Sequence, residues 1–136
     1  MKANDKSDID TLVDEFFQLF DNRNGRIPEL DQIYRLFIAQ GMIAKCVGSL
    51  PEIYTLADFI APRKILLSNG TLTEFCEQEI SEDTQIFGHI AQRICHYRKS
   101  GQLNGAPFTA TGTKSIQFIK MPNGWRMSSV IWDDMN

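Results

Sequence analysis

The chain has 136 residues, of which 43% are hydrophobic and 23% charged. These values are those of one ordinary globular domain and exclude whole-chain disorder, collagen and coiled coil. With 14 Lys and Arg against 17 Asp and Glu, the net charge is -3, which excludes a strongly basic surface for nucleic acid.

The chain start and the cysteines indicate the compartment. The first ten residues are polar and acidic, without a secretory signal, and no run reaches the ~18 apolar residues of a membrane span. Cys46, Cys76 and Cys95 show no metal-ligand spacing, so we expect buried, reduced thiols. We expect a cytoplasmic domain over residues 1–136, with 1–7 flexible, that uses no metal or cofactor and binds no membrane or nucleic acid.

The first element is an amphipathic helix. Apolar side chains at helical spacing predict it over residues 8–22, with Ser7 as its N-cap. Pro28 can open a short second helix, and residues 42–47 are typical of a strand.

A third helical region is expected over residues 55–68. Thr55 and Asp58 form a cap-and-acid pair at its start. Pro62 removes a backbone donor inside it, which predicts a kink or a break.

The second half of the chain changes to the alternation of strands. Strands are expected at 71–80, 84–98, 108–120 and 125–133, separated by a turn at 81–83, a Gly-rich loop at 99–107 and a tight turn at 122–124. Helices followed by an antiparallel meander indicate an α+β fold.

The faces of these strands predict an assembly. In 84–98, one face carries Ala91 and Tyr97 and the other carries Ile90 and Ile94, so neither is purely polar. Helices can cover one face, and a second copy of the chain is the simplest cover for the other. We therefore expect a homodimer through the outer face of the sheet.

Three segments of the chain resemble the nuclear transport factor 2-like superfamily, the cone-shaped fold that includes ketosteroid isomerase and SnoaL-like proteins. They are FIAPRKILLSNGTLTEFCEQEI, IFGHIAQRICHYR and TGTKSIQFIKMPNGWRMSSVIWDD. The matching positions are Gly88, Ile90, Ala91 and Tyr97 in one strand, Gly112, Ser115 and Gln117 in the next, and Gly124-Trp125-Arg126 with Trp132-Asp133 in the closing hairpin. The resemblance covers about residues 8–134.

The resemblance implies helices packed in the concave face of a strongly curved antiparallel sheet, with dimerisation through the outer face. It also implies a pocket for a small apolar or aromatic molecule, with acid–base catalysis of the isomerase or dehydratase type. The alternatives are a non-catalytic structural or assembly subunit with a plugged pocket and, less favoured, a protein-transport adaptor. The candidate ligand-binding residues are Phe16, Phe20, Phe59, Tyr54, Tyr97 and Trp125.

Inside such a cone, proton transfer needs an acid–base side chain. His89 is one candidate, against the alternative of a packed or surface histidine, and His96 on the opposite strand face is a weaker one. The last strand places Trp125 and Trp132 an odd number of residues apart, which predicts that they face opposite sides.

Carboxylates are the other candidates for proton transfer. Glu77 and Glu79 share one strand face, where repulsion between the carboxylates can raise the pKa of one of them. Alternatively they are a pair at the pocket rim or on the dimer face that forms ion pairs with Arg93, Lys114 or Arg126.

The third helical region and the 108–120 strand offer further polar groups. Asp58 is a catalytic candidate or simply a capping carboxylate, and Arg63 either points toward a bound anion or is solvated. A polar wall of the pocket, or a solvated sheet face, is formed by Thr109, Thr111, Thr113, Ser115 and Gln117.

Overall fold

The computed structural model describes residues 2–135 of the chain. Its helices are α1 (Lys2–Leu19) and α2 (Leu56–Leu66), with short 3₁₀ helices at Arg23–Gly25 and Leu30–Arg35. Its strands are β1 (Phe37–Lys45), β2 (Glu52–Thr55), β3 (Leu72–Phe87), β4 (Ile90–Leu103), β5 (Ala106–Met121) and β6 (Gly124–Met135).

The strands form a six-stranded sheet in the order β2-β1-β6-β5-β4-β3. The α+β class and the antiparallel meander from β3 to β6 are confirmed. The sheet is not antiparallel throughout, because β1 enters it beside the last strand and runs parallel to β6.

The helices lie on one face of the sheet and bury its inward-facing side chains. Along β4, burial alternates with period two: Ala91, Arg93, Cys95 and Tyr97 are buried, while Ile90, Gln92, Ile94 and His96 are exposed. We call the face with the buried side chains the inner face of the sheet and the face with the exposed ones its outer face. The phenylalanines of α1 pack on the inner face and form the main core with it.

The prediction of a turn at 81–83 is wrong. β3 continues through this segment with a shift in register between Glu79 and Ser81, a bulge that the alternation pattern does not reveal. The chain turns instead at Gly88 and His89, where Gly88 has a φ of 61°.

The loop expected at 99–107 is also mostly strand. β4 and β5 run on to a two-residue turn at Asn104-Gly105, whose φ angles of 53° and 80° are those of the left-handed region that Asn-Gly favours. Lys99 therefore belongs to β4. It lies two residues after Tyr97 and shares the inner face with it.

A second bulge corrects the prediction for the tryptophans. Gln117 pairs with Ser129 and Phe118 pairs with Met127, so β6 has one extra residue, Ser128, at this point. The extra residue reverses the alternation, and both Trp125 and Trp132 are buried on the inner face, with 3% and 7% exposure.

The first helix begins earlier and ends earlier than expected. Residues 2–7, expected to be flexible, belong to α1, so Ser7 is inside the helix and is not its N-cap. Asp5 accepts hydrogen bonds from Lys120 Nζ at 2.8 Å and Trp125 Nε1 at 3.0 Å, which fixes this first turn on the sheet. Met1 lies outside the described residues.

The expected cap of α2 is confirmed. The Thr55 hydroxyl accepts a hydrogen bond from the Asp58 backbone N–H at 3.1 Å. The helix is not broken at Pro62 and continues to Leu66.

Candidate functional site

A cavity of about 390 Å³ lies between the two helices and the inner face of the sheet. The second half of α1, the helix α2 and strands from both sides of the sheet contribute to it, so we call this the open end of the molecule. Its walls are formed mainly by Phe16, Phe20, Tyr54, Phe59, Leu66, Leu67, Leu72, Phe75, Leu103, Phe108 and Trp132. Its charged lining residues are Lys45, Glu52, Arg63, Glu77, Lys99 and Lys114.

The aromatic walls are held by edge-to-face contacts. The Phe20 and Phe59 ring centroids are 5.8 Å apart, and so are those of Phe59 and Trp132. Phe16 and Tyr54 extend the series at 5.6 Å from Phe20 and 5.5 Å from Phe59. This packing fixes the rings in place and presents apolar surface to the cavity.

A buried ion pair, Glu77–Lys114, forms the floor of the cavity. Lys114 Nζ lies 3.1 Å from Glu77 Oε2, and their side chains are 4% and 9% exposed. The ammonium also lies 4.3 Å and 4.4 Å from the ring centroids of Tyr97 and Trp132. Opposite charge and aromatic faces together compensate the desolvation of Lys114.

Behind this floor, Tyr97 and Lys99 share the carboxylate of Asp134. The Tyr97 hydroxyl donates to it, and Lys99 Nζ lies 3.1 Å away. Burial and this hydrogen bond raise the pKa of Tyr97 above its usual range. Burial would raise the pKa of Asp134, but the hydrogen bonds from Tyr97 and Lys99 outweigh it and lower that pKa. Tyr97 is therefore a neutral donor here, not a base.

Arg63, from α2, lies in the wall of the cavity. Its guanidinium carbon is 3.6 Å from the Phe59 ring centroid and 5.6 Å from that of Tyr54, and Nη1 donates to the Phe59 carbonyl at 3.0 Å. Burial lowers the pKa of Arg63, and the nearby Tyr54 and Glu52 offset only part of this effect.

The structure separates the predicted site residues into two groups. Those that line the cavity are Phe16, Phe20, Tyr54, Phe59 and Glu77. Tyr97 is fully buried beneath the Lys114 ammonium, and Trp125 lies at the other end of the molecule against Asp5. Neither of these two rings lines the cavity.

The remaining catalytic candidates lie elsewhere. His89 is exposed in the β3–β4 turn, because the strand that was expected to carry it begins only at Ile90. Asp58 is exposed in the first turn of α2. Glu79 lies with Arg93 at the groove between α1 and β3.

The ion pairs predicted for the two glutamates are confirmed, but both side chains lie on the inner face of the sheet and not on the expected dimer face. Glu77 pairs with Lys114 at 3.1 Å, and Glu79 Oε1 pairs with Arg93 Nη2 at 2.5 Å. The polar wall predicted on β5 lies on the outer face, where Ser115 and Gln117 are exposed, so it does not line the cavity.

Sequence reasoning missed Lys45, Lys99 and the pocket role of Trp132. Lys114 carried a usable signal, because it alternates with Ile116 and Phe118 and therefore lies on an apolar strand face. Lys99 carries no such signal, because the Gly-rich composition of residues 99–107 predicts a loop there.

The opposite end, which we call the closed end, is held by ion pairs around the first half of α1. Arg93 is 3% exposed, and its Nη1 donates to Asp10 Oδ1 at 2.6 Å in addition to the Glu79 pair. Asp5 is held by Lys120 and Trp125. Each of these cations meets at least one carboxylate.

Within residues 2–135, His, Cys, Asp and Glu side chains form no group of three or more that could hold a metal ion. None of the helices described is long and apolar enough to cross a membrane.

No family model matches the sequence, and no curated protein matches it either. Solved structures do. A nuclear transport factor 2-like superfamily protein from Salmonella enterica aligns with a TM-score of 0.79 at 15% identity, over 97% of this chain and 92% of that one.

Two other similar structures have reaction names. A proposed dehydratase of the same family from Streptomyces avermitilis has a TM-score of 0.76 at 10% identity, over 100% of this chain and 99% of that one. A proposed aromatic ring hydroxylase from Novosphingobium aromaticivorans has a TM-score of 0.73 at 13% identity, over 98% of this chain and 91% of that one. The chain therefore has the nuclear transport factor 2-like fold, as the resemblance predicted, and identities this low establish the fold alone.

Proposed function

We propose that this protein binds a small, largely aromatic or apolar molecule in the cavity at the open end. The observation that carries the proposal is the cavity of about 390 Å³, walled by aromatic rings above the buried Glu77–Lys114 pair. Small-molecule sites have this composition, apolar walls with a few fixed polar groups. The proposal disfavours a plugged pocket, because the rings pack edge to face against one another in the wall and a cavity of about 390 Å³ remains beside them.

Acid–base catalysis of the isomerase or dehydratase type is the second part of the proposal. Of the four catalytic candidates, Glu77 is the one that lines the cavity, and we therefore propose that its carboxylate accepts a proton from a bound molecule. Lys114, 3.1 Å from it, would stabilise negative charge that develops on the substrate. One of the similar structures is named as a proposed dehydratase, which is of this class, and at 10% identity it supports only the fold.

The test of binding uses naphthalenemethanol, a neutral aromatic probe, and isothermal titration calorimetry. We expect a dissociation constant of about 0.1 to 1 mM, since a ligand of this size gains only a fraction of a kcal/mol per heavy atom. Leu66→Trp, which adds bulk to the cavity wall, should weaken binding at least about tenfold.

The matched control is Ile65→Trp. Ile65 is the next residue of α2, is 61% exposed and does not line the cavity, so its substitution should leave binding unchanged. Absence of binding by the native protein, for both naphthalenemethanol and its carboxylate analogue naphthoate, would overturn the proposal in favour of a plugged pocket.

We also propose that two copies of the chain associate through the outer face of the sheet. Ile53, Ile90 and Ile94 are 69%, 59% and 44% exposed there. Uncharged side chains lie among them, including Gln92, Ser115 and Gln117. Charged side chains of this face include Asp83, opposite Ile94, and Arg98, so the proposed interface is the apolar area around the isoleucines, the kind of surface that a twofold dimer buries.

Light scattering coupled to size-exclusion chromatography tests the dimer. We expect a dimer at micromolar concentration, and Ile94→Glu should convert it to a monomer by placing a carboxylate in the interface. Ile65→Glu, on the exposed side of α2, should remain dimeric. A native protein that elutes as a monomer would exclude this assembly.

A further inference from the structure

The charges that line the cavity do not balance. Lys45, Arg63, Lys99 and Lys114 contribute four positive charges, and Glu52 and Glu77 contribute two negative ones. The protein as a whole has a net charge of -3, so this excess of cations is local and opposite in sign to the chain.

Carboxylates of the protein compensate only two of the four cations directly. Lys114 pairs with Glu77 and Lys99 pairs with Asp134, each at 3.1 Å. No ion pair found among residues 2–135 includes Arg63 or Lys45. Glu52, the other carboxylate of the lining, accepts a hydrogen bond from the Tyr54 hydroxyl at 2.7 Å. It lies opposite Lys45 in the β1–β2 pairing and offsets part of the desolvation of Arg63, but it forms an ion pair with neither cation.

Arg63 is the cation most affected by this imbalance. Its guanidinium lies against the ring of Phe59 at 3.6 Å, half-buried, with the Phe59 carbonyl as its hydrogen-bond acceptor. Burial lowers its pKa because a desolvated charge is unfavourable, and Tyr54 and Glu52 offset only part of this effect. An arginine nevertheless stays protonated, so an anion that enters the cavity would offset this cost.

We propose that the ligand of this cavity is an aromatic or alicyclic carboxylate, whose ring lies between the aromatic walls and whose carboxylate binds Arg63, with Lys45 as the second cation. This inference rests on the proposed function and adds the chemical class of the ligand. A planar carboxylate fits the fork of N–H donors on a guanidinium. The Glu77–Lys114 floor is neutral overall, so the charged group lies toward Arg63 and the uncharged end of the ring lies toward the floor.

The test compares three probes of similar shape by isothermal titration calorimetry: naphthoate, naphthalenemethanol and naphthalenemethylamine, which are anionic, neutral and cationic at neutral pH. We expect naphthoate to bind the native protein about tenfold more tightly than naphthalenemethanol, and the amine to bind more weakly than both. Added sodium chloride should weaken the binding of naphthoate only.

Arg63→Gln should remove the preference, so that the ratio of the naphthoate and naphthalenemethanol dissociation constants approaches one. The matched control is Lys64→Gln, which removes the same charge from the next residue of α2. Lys64 is paired with Asp31 at 2.7 Å and does not line the cavity, so the tenfold ratio should persist. Circular dichroism verifies that both variants are folded.

The outcomes separate this inference from the proposed function. Equal binding of naphthoate and naphthalenemethanol overturns the carboxylate preference and leaves binding in the cavity intact. If Arg63→Gln and Lys64→Gln reduce the preference for naphthoate equally, the preference comes from the general positive charge of this region, and the specific role of Arg63 is overturned. Failure of all three probes to bind overturns the proposed function itself.

Discussion

The two ends of the cone are built from the same kinds of side chain and differ in how they are used. At the closed end, Arg93 and Lys120 each contact carboxylates of α1, and the buried Trp125 donates a hydrogen bond to Asp5 of the same helix. At the open end, Arg63 contacts aromatic rings instead of a carboxylate, beside a cavity.

This difference supports the proposal that the binding site lies at the open end. A buried cation that is paired stabilises the attachment of one element to another, whereas a desolvated cation without a counter-ion beside an apolar cavity costs stability in the free protein. Such a cost is typical of a site prepared for a ligand. The two ends should therefore respond differently to equivalent substitutions.

The largest difference is expected between two phenylalanines. Phe118, 1% exposed and paired with Ala91 and Met127, lies at the closed end, so Phe118→Ala leaves a new void and should lower the free energy of unfolding by about 4 kcal/mol. Phe20 already borders the cavity, and Phe20→Ala should cost about 3 kcal/mol, at the lower end for a buried phenylalanine. Urea unfolding measures both, and equal losses would remove the distinction between the ends.

A second difference concerns the buried arginine of the closed end. Arg93→Met leaves Glu79 and Asp10 without their shared partner, and we expect a loss of about 2 to 3 kcal/mol in urea unfolding. Arg98→Met is the control, because Arg98 is exposed on the outer face of the same strand and should change stability by less than about 0.5 kcal/mol. If Arg93→Met lowers the free energy of unfolding by less than about 1 kcal/mol, which is what an exposed ion pair contributes, then solvent screens the pairs of Arg93 with Asp10 and Glu79.

A smaller effect is expected in acid. Burial would raise the pKa of Asp10, but hydrogen bonds from Lys6 and Arg93 outweigh it and hold the pKa below the usual value of 3.8. A carboxyl with a lowered folded pKa contributes stability that is complete above its unfolded pKa and is lost as the pH falls through the folded one.

Asp10→Asn should therefore flatten the loss of stability below about pH 4, by less than about 1 kcal/mol because this carboxylate is partly exposed. Unfolding free energies measured from pH 6 downward, at about half-unit steps, give the slope. Asp8→Asn on the exposed side of α1 should keep the native slope, and an unchanged slope for Asp10→Asn would contradict the role of Asp10.

The smallest effect is kinetic and concerns the interior between the two ends. Cys95 is fully buried, and burial raises the pKa of its thiol to about 12. In the double variant Cys46→Ser/Cys76→Ser, a thiol reagent at mildly alkaline pH should label Cys95 only as fast as the protein unfolds. Faster labelling would mean that the cavity admits small molecules past the Glu77–Lys114 floor.

The sequence predicted the α+β class and the inner-face phenylalanines because burial follows a regular period in α1 and in β4. It did not predict the bulge at Glu79, which removed the expected turn, nor the Asn104-Gly105 turn that extended β4 to Lys99. One extra or missing residue inverts every face beyond it, and nothing in the local composition marks such a residue.

The candidate site was predictable only in its apolar part. Phe16, Phe20 and Phe59 follow from helical spacing and from the resemblance. The ion pair of Glu77 with Lys114 and the position of Arg63 against Phe59 depend on how three distant elements meet, which spacing along one chain does not specify.

The extra residue of β6, Ser128, has a different tolerance for substitution and for deletion in the gene. Ser128 is half-buried, and its hydroxyl donates to the Gln117 carbonyl at 3.3 Å, so many codons could replace it with little effect. Loss of that one codon is a different event, since it would restore uninterrupted alternation between Trp125 and Trp132 and turn one of them outward. We therefore expect this short stretch of β6 to accept substitutions and to reject in-frame deletions among descendants of this gene.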